Sequence, residues 1–523
     1  MNEWNYTGNV EKWCIFEAEI KGTTAGNPFT DYTIEGTFSG THEVKHTEGF
    51  YDGNGIYRIR FMPSFAGEYN FRIKCSFSDS EYTGTFQVAE AGQNNHGPVH
   101  VANTYHFAYE DGSKYYPVGT TCYVWELQPE ELQAQTLQTL KQSPFNKIRF
   151  CIFPKHYAYN FRDPPLFPYE GTPCDASKMT EDNFMEYNGS APGNEWDFSR
   201  FVPAYFRHIE QCIEKLRDEG IEADLIVMHP YDRWGFSRMD REHDDLYWHY
   251  VTARFAAYRN VWWSLANEYD LMPQKTLADW ERFAQILCTC DPYNHLRSIH
   301  NCHVFYDHSR PWVTHCSIQR QDVYKTAELV NEWREKYRKP VVLDEIAYEG
   351  NIQYGWGNIS GKELVRRFWE AACRGGYGAH SETYMNKDNI LWWSHGGVLH
   401  GESPARIQFL KKILYETPAY GLSPLNREWD EVCGIPADTM QLMKPVKDYY
   451  LCYYGFNRPS FRDFHFDEET RFSVEVIDTW NMTVTDAGIH RGKFRVNLPG
   501  REYMAVRLRK CSGGCPVGGV VKQ

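Results

Sequence analysis

No window of this 523-residue chain approaches 18 uninterrupted apolar residues, so nothing in it predicts a membrane span. Positive charge is also short: 55 Lys and Arg stand against 69 Asp and Glu, a net charge of −14. Phosphate binding needs a basic footprint, so neither nucleic acid nor an acidic membrane surface is an expected partner. Met1-Asn2-Glu3-Trp4-Asn5-Tyr6 has neither a basic start nor an apolar run, so no secretory signal is expected. Cysteine is not scarce, but the 15 residues are odd in number, and Cys122, Cys151 and Cys316 fall inside runs that read as strands. That pattern suits reduced thiols in a cytoplasmic protein better than a disulfide framework. Cys288-Thr289-Cys290 and Cys511-Ser-Gly-Gly-Cys515 match no common zinc spacing, so no metal or other cofactor is expected.

What is present is apolar and aromatic. Hydrophobic residues make up 42% and charged residues 24%, the balance of a globular chain long enough for two or three domains. The 17 Trp and 36 Tyr suit a protein that stacks on flat faces such as sugar rings, although aromatics also fill cores.

The organising stretch is Val261-Trp262-Trp263-Ser264-Leu265-Ala266-Asn267-Glu268, a buried-looking run that stops at two polar residues. Pro340-Val341-Val342-Leu343-Asp344-Glu345 repeats the event. An apolar run ending on a carboxylate is what the C-terminal mouth of a parallel barrel strand looks like. Glu345 follows Glu268 by 77 residues (345 − 268), which fits three βα units of roughly 30 residues or fewer. That places the two on strands 4 and 7, facing across one mouth.

These residues resemble the clan A (4/7) superfamily of retaining glycoside hydrolases. The resemblance implies that Glu268 is the acid/base, that Glu345 is the nucleophile, and that the partner is an oligosaccharide or small glycoside. Asn146-Lys147-Ile148-Arg149 matches the clan's strand 2 motif, which implies that Arg149 keeps Glu345 ionised. Asn267 matches the Asn that binds the sugar 2-hydroxyl, and His229 the strand 3 position where family 5 enzymes keep a His. Two departures stand out: Asp344 replaces the Gly common before the nucleophile, and no strand 6 Tyr is evident in Val313 to Gln319.

Taken in order, residues 10 to about 90 alternate with period two, as in Tyr57, Ile59 and Phe61 against Arg58, Arg60 and Met62. Such strands with Gly/Asn/Asp turns predict a β-sandwich over 1–92. Asn27-Pro28-Phe29-Thr30-Asp31 and Gly49-Phe50-Tyr51-Asp52-Gly53 resemble the immunoglobulin-like domain found in front of many glycoside hydrolases. Packing against the barrel is its expected role.

After a polar break at Gln93 to Pro98, eight strand–helix alternations predict an α/β fold, a (β/α)₈ TIM barrel over 105–418. Its strands are expected at Tyr115–Val124, Asn146–Phe153, Ile221–His229, from Val261, Leu296–Asn301, Val313–Ile318, Pro340–Glu345 and Gly378–Tyr384. A second small β-sandwich is expected over 430–510, resembling the domain often appended to such barrels, with a disordered tail over 511–523.

Long connections rich in aromatics follow strands 2 and 8, and Tyr157, Trp392 and Trp393 are read as walls of a sugar pocket. His380 and Glu382 from strand 8 are further substrate contacts, and Glu382 and Glu349 are rival carboxylates. Two other readings stay open. One is a metal-dependent barrel hydrolase using His229, Asp232, His300, His303, His315 and His380. The other is a catalytically silent carbohydrate-binding protein. A homo-oligomer is compatible with the sequence.

Overall fold

The structure, a computed structural model, describes residues 4–157, 159–160, 162–322, 325–386, 391–425, 431–436 and 448–511. The predicted tail therefore lies outside the described residues from 512 onward.

Eight short strands form one parallel sheet. In chain order they are Gly119–Thr121, Lys147–Cys151, Glu222–Met228, Val261–Ala266, Arg297–Ser298, Cys316–Gln319, Val341–Glu345 and Tyr377–His380. Numbered 1 to 8, they lie side by side as 5-4-3-2-1-8-7-6. A parallel bridge between His300 and Ser317 joins strand 5 to strand 6, which gives the cyclic order of a TIM barrel. All six residues of strand 4 are buried, as an apolar run covered on both faces requires. Its two indole N–H groups donate to carboxylates, Trp262 to Glu222 and Trp263 to Asp291, each at 3.0 Å. Helices α1 (Glu130–Gln142), α2 (Pro203–Asp218), α3 (Arg241–Phe255), α4 (Leu277–Cys290), α5 (Val330–Tyr337) and α6 (Gly361–Cys373) lie between the strands. The short α7 (Trp392–His395) and α8 (Ser403–Tyr415) follow strand 8. Among the described residues, no helix is long and apolar enough to cross a membrane.

Three elements differ from the sequence reading. Tyr115 is not part of strand 1: Lys114–Tyr115 pairs with His106–Tyr109 in a separate antiparallel sheet. Pro117 lies between the two, where its missing N–H cannot continue a ladder. Strand 8 divides after His380, and Glu382–Thr383 pairs instead with Glu349–Gly350. The helix ahead of strand 4, which the sequence places at Leu246 to Tyr258, is α3 and begins at Arg241, because the Asp240 side chain caps it by accepting the His243 N–H at 3.1 Å.

Ahead of the barrel, an eight-stranded, largely antiparallel sheet folds over on itself. The strand Val44–Tyr51 pairs first with Ile34–Ser39 and then with Ile56–Phe61, so it crosses from one layer to the other. Gly49 sits at that crossing, where a Cβ would meet the Arg58 carbonyl oxygen at 2.4 Å. Aromatic side chains fill the space between the layers, with Phe16 and Phe86 ring centres 4.3 Å apart and Phe38 and Phe61 stacked at 4.5 Å.

The polar face of strand Ile56–Phe61 does not meet water throughout. Arg60 is buried against the barrel, where it pairs with Glu210 of α2 at 2.8 Å. Glu210 also accepts from Arg254 of α3 at 2.7 Å, and Arg254 reaches Asp52 at 2.9 Å. Breaking a buried ion network leaves uncompensated charge, so Glu210→Ala should destabilise the protein by about 3–5 kcal/mol in chemical denaturation. A loss under 1 kcal/mol would mean that this seam does not hold the sandwich.

After α8, six strands form a mostly antiparallel sheet from Leu422–Leu425 to Thr483–Arg491, covered by the pair Phe461–His465 and Lys493–Asn497. One face packs on the barrel, where Tyr453 stacks on Trp369 of α6 with ring centres 5.5 Å apart. The other buries Phe464, Phe472, Val474 and Val506 against the covering pair.

Candidate active site

Strand 4 ends at Ala266, and the chain turns sharply there. Glu268 has φ 51° and ψ 54°, a left-handed conformation uncommon for a residue with a side chain. Such strain, of order 1–3 kcal/mol, is kept where the surroundings fix it and clusters at functional sites. The next turn is pinned by Asp270, which accepts the amide N–H of Cys302 at 2.6 Å and of His303 and Val304 at 2.8 Å. Strand 7 delivers Glu345 from its last position. Both carboxylates line one cavity of about 310 Å³, within the size class of small-ligand sites.

Glu345 sits among donors. Its Oε1 accepts from the Tyr123 hydroxyl at the end of strand 1, and lies 3.3 Å from Arg149 Nη1 and 3.3 Å from His300 Nε2. Burial alone pushes a carboxyl up, but His300, Arg149 and Tyr123 outweigh it and hold Glu345 well below its ordinary range. Tyr123 stays a neutral donor, since burial and the nearby Glu345 raise its phenol well above the usual value. Glu268 has a different neighbour: the hydroxyl of Tyr231 donates to its Oε2.

Beneath the pair lies a buried ionic stack. Lys147 Nζ reaches Asp224 at 2.6 Å and Asp344 at 2.9 Å, and Ser317 donates to Asp344 at 2.6 Å. Asp344 thus points into the barrel and Glu345 into the cavity, as alternation along a strand dictates. This accounts for a charged residue where the resembling clan has Gly.

The walls are aromatic. Trp393 meets Tyr123, Tyr157 and Trp356 with ring centres 5.4, 5.0 and 4.8 Å away. Inside this ring stands Lys155, its Nζ 3.1 Å from the centre of the Tyr123 ring and 4.3 Å from that of Tyr231. Burial lowers its ammonium to about 8. A cation held over ring faces beside two carboxylates offers a donor to substrate oxygen.

The sequence-predicted residues divide. Glu268, Glu345, Tyr157 and Trp393 line the cavity, with Arg149 and Asn267 directly behind it; Asn267 Oδ1 lies 3.4 Å from the Tyr123 hydroxyl oxygen. Four others do not line it. His229 turns to the Phe153 carbonyl at 3.2 Å, and burial lowers its imidazole to about 3. His380 packs on Phe145 and contacts Thr120 at 3.0 Å inside the barrel. Trp392 donates to the same Thr120 at 2.8 Å. Glu382 left the ring of strands with the split of strand 8, and accepts the Gly401 N–H at 2.8 Å and that of His400. Glu349, the rival to Glu345, accepts the N–H of Glu402 at 2.7 Å and of Ser403 at 3.0 Å, at the start of α8. Of the histidines of the metal-hydrolase reading, His300 contacts Ser317 at 2.9 Å as well as Glu345, and His315 contacts Thr314 at 3.1 Å.

Lys155, Tyr231, Tyr348 and Trp356 line the cavity without having been singled out. Tyr123 also escaped notice. Its position at the end of strand 1 is the available signal, and its hydroxyl and His300 both contact Glu345 Oε1.

We expect Tyr123→Phe to raise the pKa of Glu345, because it removes a donor to the ionised form. On the reading of Glu345 as a nucleophile, which must be ionised, the acid limb of kcat/KM should move to higher pH. Activity on that limb should fall by about 10-fold or more, the scale of a hydrogen bond to a charged group. An unshifted limb in the pH–rate profile would remove Tyr123 from this role.

A family model described as "Apiosidase-like, catalytic domain" matches residues 101–429. Two models described as domains of unknown function, DUF5060 and DUF5605, match residues 9–76 and 429–509. A crystal structure of a "putative glycoside hydrolase" from Bacteroides vulgatus ATCC 8482 is similar at 37% identity and a TM-score of 0.88. That match covers 97% of this chain and 100% of the other. A second structure, described as a glycoside hydrolase, has a TM-score of 0.56 at 15% identity over 80% of this chain and 98% of its own, a likeness of fold alone. No curated protein matches the chain.

Proposed function

The chain belongs to the apiosidase-like catalytic-domain family, and on that premise we propose that it is a retaining glycosidase of the 4/7 type. In this reading Glu345 attacks the anomeric carbon while Glu268 protonates the departing oxygen. Glu268 then deprotonates the water that releases the sugar. The observation that carries the proposal is the shared cavity, with one carboxylate at the end of strand 4 and the other at the end of strand 7. Their surroundings differ in the sense the two roles require. Glu345 is held ionised by two basic side chains and a phenol, whereas Glu268 has a neutral phenol as its hydrogen-bond partner. Lys155 and the aromatic walls would orient the sugar. The division into a barrel between an N-terminal immunoglobulin-like sandwich and a C-terminal sandwich belongs to the same proposal.

Proton NMR of the first-formed sugar tests the reading. It needs an aryl glycoside that the protein cleaves, found by a screen that includes an aryl apioside because of the family's description. Retention of anomeric configuration is expected; inversion would remove the double displacement.

A further inference from the structure

A second constellation lies at the seam between the N-terminal sandwich and the barrel, and none of its members lines the catalytic cavity. Glu48 comes from the sandwich strand Val44–Tyr51, His249 from α3, and Cys290 is the last residue of α4. His249 Nδ1 is 2.8 Å from Glu48 Oε2. Cys290 Sγ is 3.4 Å from Glu48 Oε1 and 3.5 Å from His249 Nδ1. A carboxylate, an imidazole nitrogen and a thiol sulfur converge here, one ligand atom from each lying within 4.8 Å of the others, and among the described residues this is the group of three such side chains that could hold a metal ion.

We propose that Glu48, His249 and Cys290 bind a thiophilic divalent cation, zinc by the chemistry of the donors, and that the ion staples the sandwich to α3 and α4. Mixed sulfur and nitrogen donors select zinc over magnesium or calcium. The geometry is close to what is needed. With metal–ligand bonds of about 2.0–2.3 Å, tetrahedral edges are about 3.6 Å from sulfur to either neighbour and about 3.4 Å between nitrogen and oxygen. The sulfur–nitrogen edge and the distance from sulfur to Glu48 Oε1 already have nearly those lengths, whereas the 2.8 Å imidazole contact is to the other carboxylate oxygen, Oε2, so Glu48 must turn to present one oxygen and that contact must open. Glu48 and Cys290 also border a cavity of about 260 Å³, which leaves room for water as the fourth ligand. Binding displaces the Cys290 thiol proton and any proton on His249 Nδ1, so uptake releases protons to solvent. Sequence spacing could not reveal the site, since the ligands are 201 and 41 residues apart.

The test is a titration of the full, chelator-stripped chain with Co²⁺ as a spectroscopic stand-in. One equivalent should bind, giving a sulfur-to-cobalt charge-transfer band and the visible bands of tetrahedral cobalt, and zinc should displace it. Cys290→Ser should abolish the charge-transfer band. Both Cys290→Ser and His249→Gln should weaken binding beyond the ~10–100-fold typical of losing a ligand's hydrogen-bond partner. Cys288→Ser, two residues away and exposed, should titrate like the parent. The circular dichroism of each metal-free variant should match the metal-free parent. No uptake, a spectrum without the sulfur band, or unchanged binding in Cys290→Ser would each overturn the proposal. Glycosidase activity is not the readout, so failure here would leave the proposed function standing, and the reverse also holds.

Discussion

Glu345→Gln should abolish turnover while the protein stays folded. The amide keeps the shape of the side chain, and Tyr123, His300 and Arg149 keep an oxygen to contact. It cannot form the glycosyl ester. Loss of a covalent nucleophile costs about 10⁴-fold or more in kcat. The loss should be of similar size on every substrate, since the first step itself is removed. Residual activity within about 100-fold of the parent, the range of a lost electrostatic helper, would mean that Glu345 is not the nucleophile.

Glu268→Ala should behave differently, and the difference separates catalysis from structure. An acid matters most when the leaving group is another sugar and least when it departs as a nitrophenolate. The variant should lose about 10²–10⁴-fold on natural glycosides, the usual share of a general acid, and far less in the first step on activated aryl glycosides. The second step also loses its base, so glycosyl-enzyme should accumulate with activated substrates. Azide needs no deprotonation and should restore turnover as a glycosyl azide. Tyr231 would lose its acceptor, so thermal unfolding must be measured alongside. Equal slowing on all substrates in a folded protein, with no azide rescue, would contradict the acid/base role.

The sequence carried the barrel well because its signals were local. Apolar runs that stop on Glu268 and Glu345 announce strand ends, and the buried face of α2 follows the 3.6-residue spacing of Ile209, Cys212, Ile213 and Leu216. The site beyond its two carboxylates was less legible, because its parts come from several strand ends with no fixed spacing. His229 and Tyr231 illustrate the limit. Both follow strand 3, but the strand-end ring turns to a backbone carbonyl, and the residue two positions on reaches Glu268. Trp392 and Trp393 are adjacent in one short helix. One indole donates inside the barrel to Thr120, the other lines the cavity, and composition cannot tell which is which. Arg60 reads from the sequence only as one side of an alternating strand, opposite Tyr57, Ile59 and Phe61. The structure makes it a buried contact between the sandwich and the barrel, a tertiary fact that period-two spacing cannot hold.

The central claim is that Glu345 becomes covalently attached to the sugar, and trapping that intermediate tests it most directly. A 2-deoxy-2-fluoro glycoside with a dinitrophenyl leaving group forms the ester but hydrolyses slowly. Fluorine at carbon 2 destabilises both oxocarbenium-like transition states, while the good leaving group still lets the first one pass. Intact mass should rise by one fluoro-sugar with stoichiometric release of dinitrophenolate, and peptide mapping should place the label on Glu345. A label on Glu268, Glu349 or Glu382, or complete turnover of an accepted substrate with no covalent species, would contradict the account.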